Sequence, residues 1–85
     1  MKITDRFTAA MDAAHAAARG KEGKEARAAR SWAFVRAVSE GGTRGVPAWV
    51  CPQFLVGLFQ ISTRLAKSHL EEIDKDAKRA ARGQA

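Results

Sequence analysis

Large apolar side chains concentrate in residues 54–73, and this segment restricts the possible folds more than any other part of the chain. Read as one helix, the segment carries a first apolar stripe made of Phe54, Leu58, Ile61 and Leu65. A second apolar stripe contains Leu55, Phe59, Ala66, Leu70 and Ile73. A helix that is apolar most of the way round packs between other elements. The segment therefore predicts a central helix with contacts on two sides.

The first half of the chain is rich in alanine, the strongest helix former but a small side chain. Alanine lets two helix backbones approach closely, yet each residue buries little area. Burial stabilises by roughly 25 cal/mol per Å² of apolar surface, so alanine faces contribute little each. The sequence therefore predicts that the N-terminal helices cover the C-terminal helix incompletely, which leaves apolar surface for a partner.

The fold class follows from the hydrophobic periodicity. No alternating run of β-branched or aromatic residues predicts a strand, so we expect an all-α fold. The expected architecture is a three-helix arrangement, in which two Ala-rich N-terminal helices pack on a long C-terminal helix. The pattern predicts these helices over residues 5–19, 24–39 and 52–79. They form a single domain of residues 1–80, and residues 81–85 are expected to be a frayed tail.

Capping residues, glycine and proline mark the expected helix ends. Thr4 is a suitable N-cap for the first helix, and residues 20–23 contain two glycines that favour a short connection to the second. Pro52 suits the first position of the third helix, because proline has no backbone N–H to donate there. A short turn before Pro52 would then place Trp49 against the core.

The charge balance favours an anionic partner. The chain has fifteen Lys and Arg against nine Asp and Glu, a net charge of +6, and the surplus is largest in residues 21–45. Such a surplus attracts nucleic acid or an acidic protein surface by electrostatic steering, but it does not distinguish between them.

Cysteine content and hydropathy indicate the cellular compartment. Cys51 is the only cysteine, so the chain makes no internal disulfide and a reducing compartment is expected. The N-terminus has no apolar stretch typical of a secretory signal. The apolar run of residues 46–61 contains two prolines and two glutamines, and it is too short and polar to span a bilayer. We therefore expect a cytoplasmic protein with no membrane contact.

Catalytic and metal-binding patterns are weak. His15 lies three residues after Asp12, and we interpret it as a surface histidine beside a solvated carboxylate. His69 lies three residues before Glu72, and we interpret it in the same way. The spacing expected of zinc ligands is missing. Cys51 precedes a helix start, which can activate a thiol, but no base or oxyanion-stabilising motif accompanies it. We expect no enzyme activity, no cofactor and no metal.

Nucleic-acid binding is the alternative function. Six cations cluster within residues 21–44, and phosphate contacts of this kind give salt-dependent affinity. A helix-turn-helix would place Pro47 and Pro52 in its recognition helix, which argues against that motif. The cations of the second helix also spread around its axis, and no exposed aromatic pattern for base stacking is visible.

The sequence predicts a small non-catalytic module that binds another protein through an apolar helix face with a basic rim. The partner is expected to present an acidic surface, and a homodimer through the third helix is part of the same prediction. The apolar contact is assigned to Phe54, Leu58, Phe59, Ile61 and Leu65. The basic rim is assigned to Arg27, Arg30, Arg36, Arg44 and Arg64. An adaptor, an assembly subunit, or an inhibitor encoded by a phage or mobile element would have these features.

Overall fold

The computed structural model describes the backbone of residues 3–39 and 45–83, with the side chains of 5–39, 45–79, 82 and 83. This part of the chain is all-α, as expected, and it contains no strand. Its helices are α1 (Ile3–Ala17), α2 (Gly23–Val38), α3 (Pro52–Phe59) and α4 (Thr63–Gly83). The predicted three-helix arrangement is wrong in one respect, because the predicted C-terminal helix is two helices separated by a break.

The α1–α2 pair forms as the sequence predicts. Alanine favours both helices, and Ala10 and Ala14 are completely buried, which allows α1 to pack closely along α2. Gly20 and Gly23 adopt positive φ angles of 77° and 58° in the turn between them. Helix α1 begins at Ile3, so Thr4 lies inside the helix and does not precede it as an N-cap.

The break between α3 and α4 is the main departure from the predicted fold. Gln60 adopts a left-handed conformation with φ 57° and ψ 47°, and its N–H donates to the carbonyl of Val56 at 2.9 Å. Ser62 then caps α4, since its Oγ accepts a hydrogen bond of 3.1 Å from the N–H of Leu65. Side-chain capping of this kind satisfies an unpaired donor in the first turn of a helix.

The core is built around an aromatic cluster in which α1, α2, α3 and the segment before α3 meet. Its members are Phe7, Phe34, Trp49, Phe54 and Phe59. Phe34 is completely buried, and its ring centroid lies 5.4 Å from that of Phe59 and 5.8 Å from that of Phe7. Trp49 packs within the core as part of this cluster, and Pro52 occupies the start of α3, both as predicted.

Because the chain breaks at Gln60, α3 and α4 each turn one apolar face toward the core. Leu55, Phe59 and Ile73 are buried, and α4 packs on both α2 and α3. Leu58 is the only large apolar side chain within residues 5–39 and 45–79 that is exposed, at 38%. Other large apolar side chains, Phe54 and Leu65 among them, are partly buried, so the fold covers much but not all of the apolar surface. No helix in the described ranges is long and apolar enough to cross a membrane.

Candidate functional site

A cleft lies where α1 and α2 meet the break between α3 and α4. It consists of two adjoining cavities of about 230 Å³ and about 310 Å³, which share Arg27 and Gln60. The first is lined by Met11, His15, Arg27, Arg30, Leu58, Phe59 and Gln60. The second is lined by Lys24, Arg27, Gln60, Ile61, Ser62 and Leu65. We call these two cavities together the junction cleft.

The break at Gln60 shapes the junction cleft. Helix α3 ends at Phe59, and the left-handed turn redirects the chain before α4 begins at Thr63. The large side chains on either side of the turn, Phe59 and Ile61, are 5% and 8% exposed. They form the floor of the cleft, while Leu58 is left accessible beside them.

The junction cleft is lined by cations without carboxylates. Lys24, Arg27 and Arg30 follow each other at three-residue spacing on α2, so they lie near one another on the helix surface. Among the described side chains, these three form no salt bridge, and no carboxylate lines either cavity. Their charge is therefore uncompensated where Leu58 is exposed.

Some cations elsewhere on the described surface are paired with carboxylates. Lys21 pairs with Glu25 at 3.6 Å. Arg36 pairs with Asp76 at 3.7 Å. Exposed pairs of this type stabilise by about 0–1 kcal/mol, but they reduce the local positive potential. In the junction cleft, by contrast, cations that are unpaired among the described side chains lie beside exposed apolar surface at Leu58.

Six of the ten predicted contact residues line the junction cleft. They are Arg27, Arg30, Leu58, Phe59, Ile61 and Leu65. Phe59 and Ile61 are 5% and 8% exposed, so this fold leaves little of either predicted contact side chain open to a partner. Phe59 shares the buried face of α3 with Leu55, four residues earlier, and Ile61 is buried directly after the break at Gln60.

The other predicted contact residues lie away from the cleft. Phe54 is half-buried in the aromatic cluster, with its ring centroid 5.4 Å from that of Trp49. Arg36 lies over the ring of Trp32, with 5.6 Å from Cζ to the ring centroid, and pairs with α4. Arg64 is exposed on the outer side of α4. Arg44 lies outside the described residues.

A buried Ser–His pair joins α2 to α4, and sequence reasoning missed it. Ser31 Oγ lies 2.9 Å from His69 Nδ1, and the His69 ring centroid lies 5.4 Å from that of Trp32. The interpretation of His69 as a surface residue is wrong, because the side chain is only 9% exposed. The available signal was its spacing, since His69 lies three residues after Ala66 and four before Ile73 on the buried face of α4.

The chemistry of this pair is structural. Hydroxyl and imidazole groups at this distance occur in nucleophilic sites, but Ser31 has no exposed surface for a substrate to reach. Burial removes water from the imidazole and thereby lowers the pKa of His69 below the usual value for histidine. The neutral ring can share a hydrogen bond with Ser31 and pack against Trp32, so the pair holds α4 on α2.

The remaining sequence candidates do not assemble into a reactive site. Cys51 is a free, half-buried cysteine at the N-cap of α3, without a side-chain hydrogen bond there. Across residues 5–39 and 45–79, no three His, Cys, Asp or Glu side chains come together as metal ligands would. His15 instead lines the junction cleft.

Comparison with known proteins leaves the function to be inferred from this arrangement. The chain matches no protein-family model, no curated protein and no solved structure.

Proposed function

We propose that this chain is a non-catalytic binding module that docks an acidic segment of another protein into the junction cleft. The single observation that carries the proposal is the exposed side chain of Leu58 beside Arg27 and Arg30, which form no salt bridge among the described side chains. An apolar side chain of the partner would pack on Leu58. Carboxylates that flank it would pair with Arg27 and Arg30.

The two kinds of contact have different roles. Burying Leu58 contributes affinity at roughly 25 cal/mol per Å² of apolar surface removed from water. The guanidinium groups can hold carboxylates through two parallel hydrogen bonds, which gives orientation and specificity. Long-range attraction between the cleft and an acidic segment also raises the association rate, so the affinity would fall with added salt.

An acidic protein segment suits this cleft better than nucleic acid does. Met11, Leu58 and Leu65 give the lining an apolar component that phosphates do not use. Phe59 is the only Phe, Trp or Tyr in the described lining, and at 5% exposure its ring is too buried to stack on a base. The cleft combines features that favour an acidic peptide with at least one aliphatic or aromatic side chain.

The roles of adaptor, inhibitor and assembly subunit all remain compatible with such a module, as does a cytoplasmic location. The predicted homodimer has less support, because Phe59 and Ile61, two of the five residues of its apolar face, are buried. Sedimentation equilibrium of the purified chain measures this directly. A dimer that Leu58→Asp dissociates would make a second copy the occupant of the cleft.

A selection from a random peptide-display library tests the proposal directly. The library is selected on the wild-type chain, after removal of every peptide that binds Leu58→Asp. We expect enrichment of sequences that combine Asp or Glu with Leu, Ile or Phe. Enrichment of basic peptides, or no enrichment that depends on Leu58, would refute the proposed function.

The selected peptide then allows a matched comparison of variants by fluorescence anisotropy. Arg27→Gln with Arg30→Gln should weaken binding at least about tenfold, equivalent to about 1.4 kcal/mol. Arg64→Gln with Lys67→Gln removes the same charge from the outer side of α4 and should leave the affinity within about twofold. Equal losses in both double variants would show that net charge, not the cleft, determines binding.

A further inference from the structure

The outer side of α4 carries a straight row of cations that the proposed docking function does not use. Helix α4 buries Ala66, His69 and Ile73, and the opposite side faces solvent. On that side, exposed residues follow at spacings of three or four residues, which keeps them near one line along a helix. They are Arg64, Lys67, Glu71, Lys75, Lys78 and Arg82. We call this row the outer stripe.

The outer stripe is long and predominantly positive. At 1.5 Å per residue, it extends for about 27 Å along the helix. Glu71 is its single acidic member, and the other five residues are cations. Shallow depressions line both of its ends, one around Arg64 and Lys67 and the other around Lys75 and Arg82.

Most of this positive charge is available to a ligand. Arg64, Lys67, Lys75 and Arg82 form no salt bridge among the described side chains. Lys78 pairs with Asp74 at 3.1 Å, but both side chains are more than half exposed. An exposed pair stabilises by about 0–1 kcal/mol, so a phosphate group can displace the carboxylate at little cost.

We propose that the outer stripe contacts the phosphate backbone of a nucleic-acid duplex without reading its bases. Arg and Lys side chains make the sequence-independent phosphate contacts that supply most non-specific affinity. A straight row of about 27 Å spans about eight base pairs along the axis of a duplex, at about 3.4 Å of axial rise per pair. This function is separate from the junction cleft and does not depend on it.

The composition of the stripe distinguishes a duplex from other anionic partners. It has no aromatic residue, whereas single-strand binding relies on aromatic side chains that stack on unpaired bases. It also has no large apolar residue to insert into a lipid surface, as an interfacial helix requires. Spaced cations without apolar neighbours suit phosphates held at the regular intervals of a duplex.

Fluorescence anisotropy with labelled 20-base-pair duplexes tests this proposal. Two DNA duplexes of unrelated sequence are titrated with the full chain between 50 and 200 mM NaCl. We expect equal affinities for both sequences and a fall of about 500-fold across this salt range, which corresponds to five phosphate contacts. RNA duplexes of the same two sequences show whether the stripe favours one backbone.

Two quadruple variants with the same net charge separate the stripe from general electrostatics. In the stripe variant, Arg64, Lys67, Lys75 and Arg82 are changed to Gln, and the same salt increase should reduce affinity only about fourfold. In the control variant, Arg19, Lys24, Arg27 and Arg30 are changed to Gln. The control variant should keep the steep salt dependence of duplex binding but should no longer bind the acidic peptide in the junction cleft. Circular dichroism of both variants checks that each one folds. We expect the stripe variant to fold because the four residues that it changes are exposed.

Three outcomes would overturn the duplex proposal. The first is the absence of duplex binding by the wild-type chain at 50 mM NaCl. The second is an equal loss of salt dependence in the two quadruple variants, which would show that net charge alone drives binding. The third is stripe-dependent binding to phosphatidylserine vesicles without binding to duplexes, which would assign the stripe to membranes. None of these outcomes affects the peptide-binding test of the junction cleft.

Discussion

The α1–α2 turn and the α3–α4 junction both redirect the chain through a left-handed residue, but they are built in different ways. The first uses Gly20 and Gly23, with φ angles of 77° and 58°. The second uses Gln60, with a φ angle of 57°. Glycine adopts this conformation without a steric penalty, whereas a residue with a Cβ atom bears a cost of about 1–2 kcal/mol. The α3–α4 junction therefore needs support from contacts outside the turn.

The side chains next to the two turns differ in how much packing support they give. Ala18 and Ala26 flank the first turn, and both are buried although they contribute little area. Phe59 and Ile61 flank Gln60 directly and are buried in the core. A turn made by glycine is thus specified locally, while the turn at Gln60 is imposed by the tertiary packing of its neighbours. The strained turn is also the one that forms the candidate binding site, as is common for strained backbone.

The largest effect should come from removing the support of the strained junction. Phe59→Ala takes a buried ring from the aromatic cluster, and we expect it to reduce the free energy of unfolding by about 3–5 kcal/mol. Ala26→Gly is the corresponding change beside the first turn and should cost about 1 kcal/mol. Urea denaturation followed by circular dichroism measures both values. Similar losses in the two variants would contradict the contrast between the turns.

A smaller effect should follow from exchanging the turn residues. Gly20→Gln places a side chain at positive φ and should destabilise by about 1–2 kcal/mol, since no atom lies near the new Cβ and only backbone strain acts. Gln60→Gly relieves the same strain and should stabilise by about 1 kcal/mol or less, because glycine also has more freedom in the unfolded chain.

The two substitutions have opposite expected signs, which makes the exchange a sharp test. Both free energies come from the same urea experiment, with Gln53→Gly as the control for glycine inside a helix. Gln53 lies in α3, and its change to glycine should reduce the free energy of unfolding by about 1 kcal/mol. Destabilisation by Gln60→Gly would mean that the glutamine side chain contributes more at the junction than its backbone strain costs.

The contrast between the turns also explains which parts of the fold the sequence predicts. Helix α2 is predicted over residues 24–39 and observed over Gly23–Val38, because glycines mark the chain before it. The start of α3 at Pro52 is predicted for the same kind of local reason. Gln60 carries no such signal, so the sequence does not predict the break. The available clue is Ser62, a good N-cap residue, within a segment whose pattern otherwise indicates a continuous helix.

The sequence predicts several residues of the site but not their arrangement. Arg27 and Leu58 are selected on separate grounds, charge and hydrophobicity, and the fold brings both to the junction cleft. Their proximity depends on how α3 meets α2, which periodicity within one helix cannot provide. Burial of His69 differs, because its spacing to Ala66 and Ile73 within α4 is an available signal, whereas its contact with Ser31 depends on how α4 meets α2.

The smallest expected effect is a pH dependence of stability caused by His69, whose contact with Ser31 holds α4 on α2. Burial lowers the pKa of His69 in the folded chain, whereas the unfolded chain titrates near the usual value of about 6.5. The unfolded state therefore binds more protons as the pH falls below about 6.5, and stability decreases. The loss should stop once the pH passes below the folded pKa, because both states are then protonated.

Matched histidine variants isolate this contribution. No ion pair with His69 is present among the described side chains, and α3 carries no ionisable group except the Cys51 thiol at its cap. His69→Gln keeps an amide that can reach Ser31 but does not titrate, so its stability should change less between pH 7.5 and pH 5 than that of the wild type. His15→Gln removes the other histidine, exposed at the end of α1, and serves as the matched control. A flatter pH dependence of stability in His15→Gln than in His69→Gln would contradict this prediction. The loss of stability at low pH would then arise on the α1–α2 side of the molecule and not at the contact between His69 and Ser31.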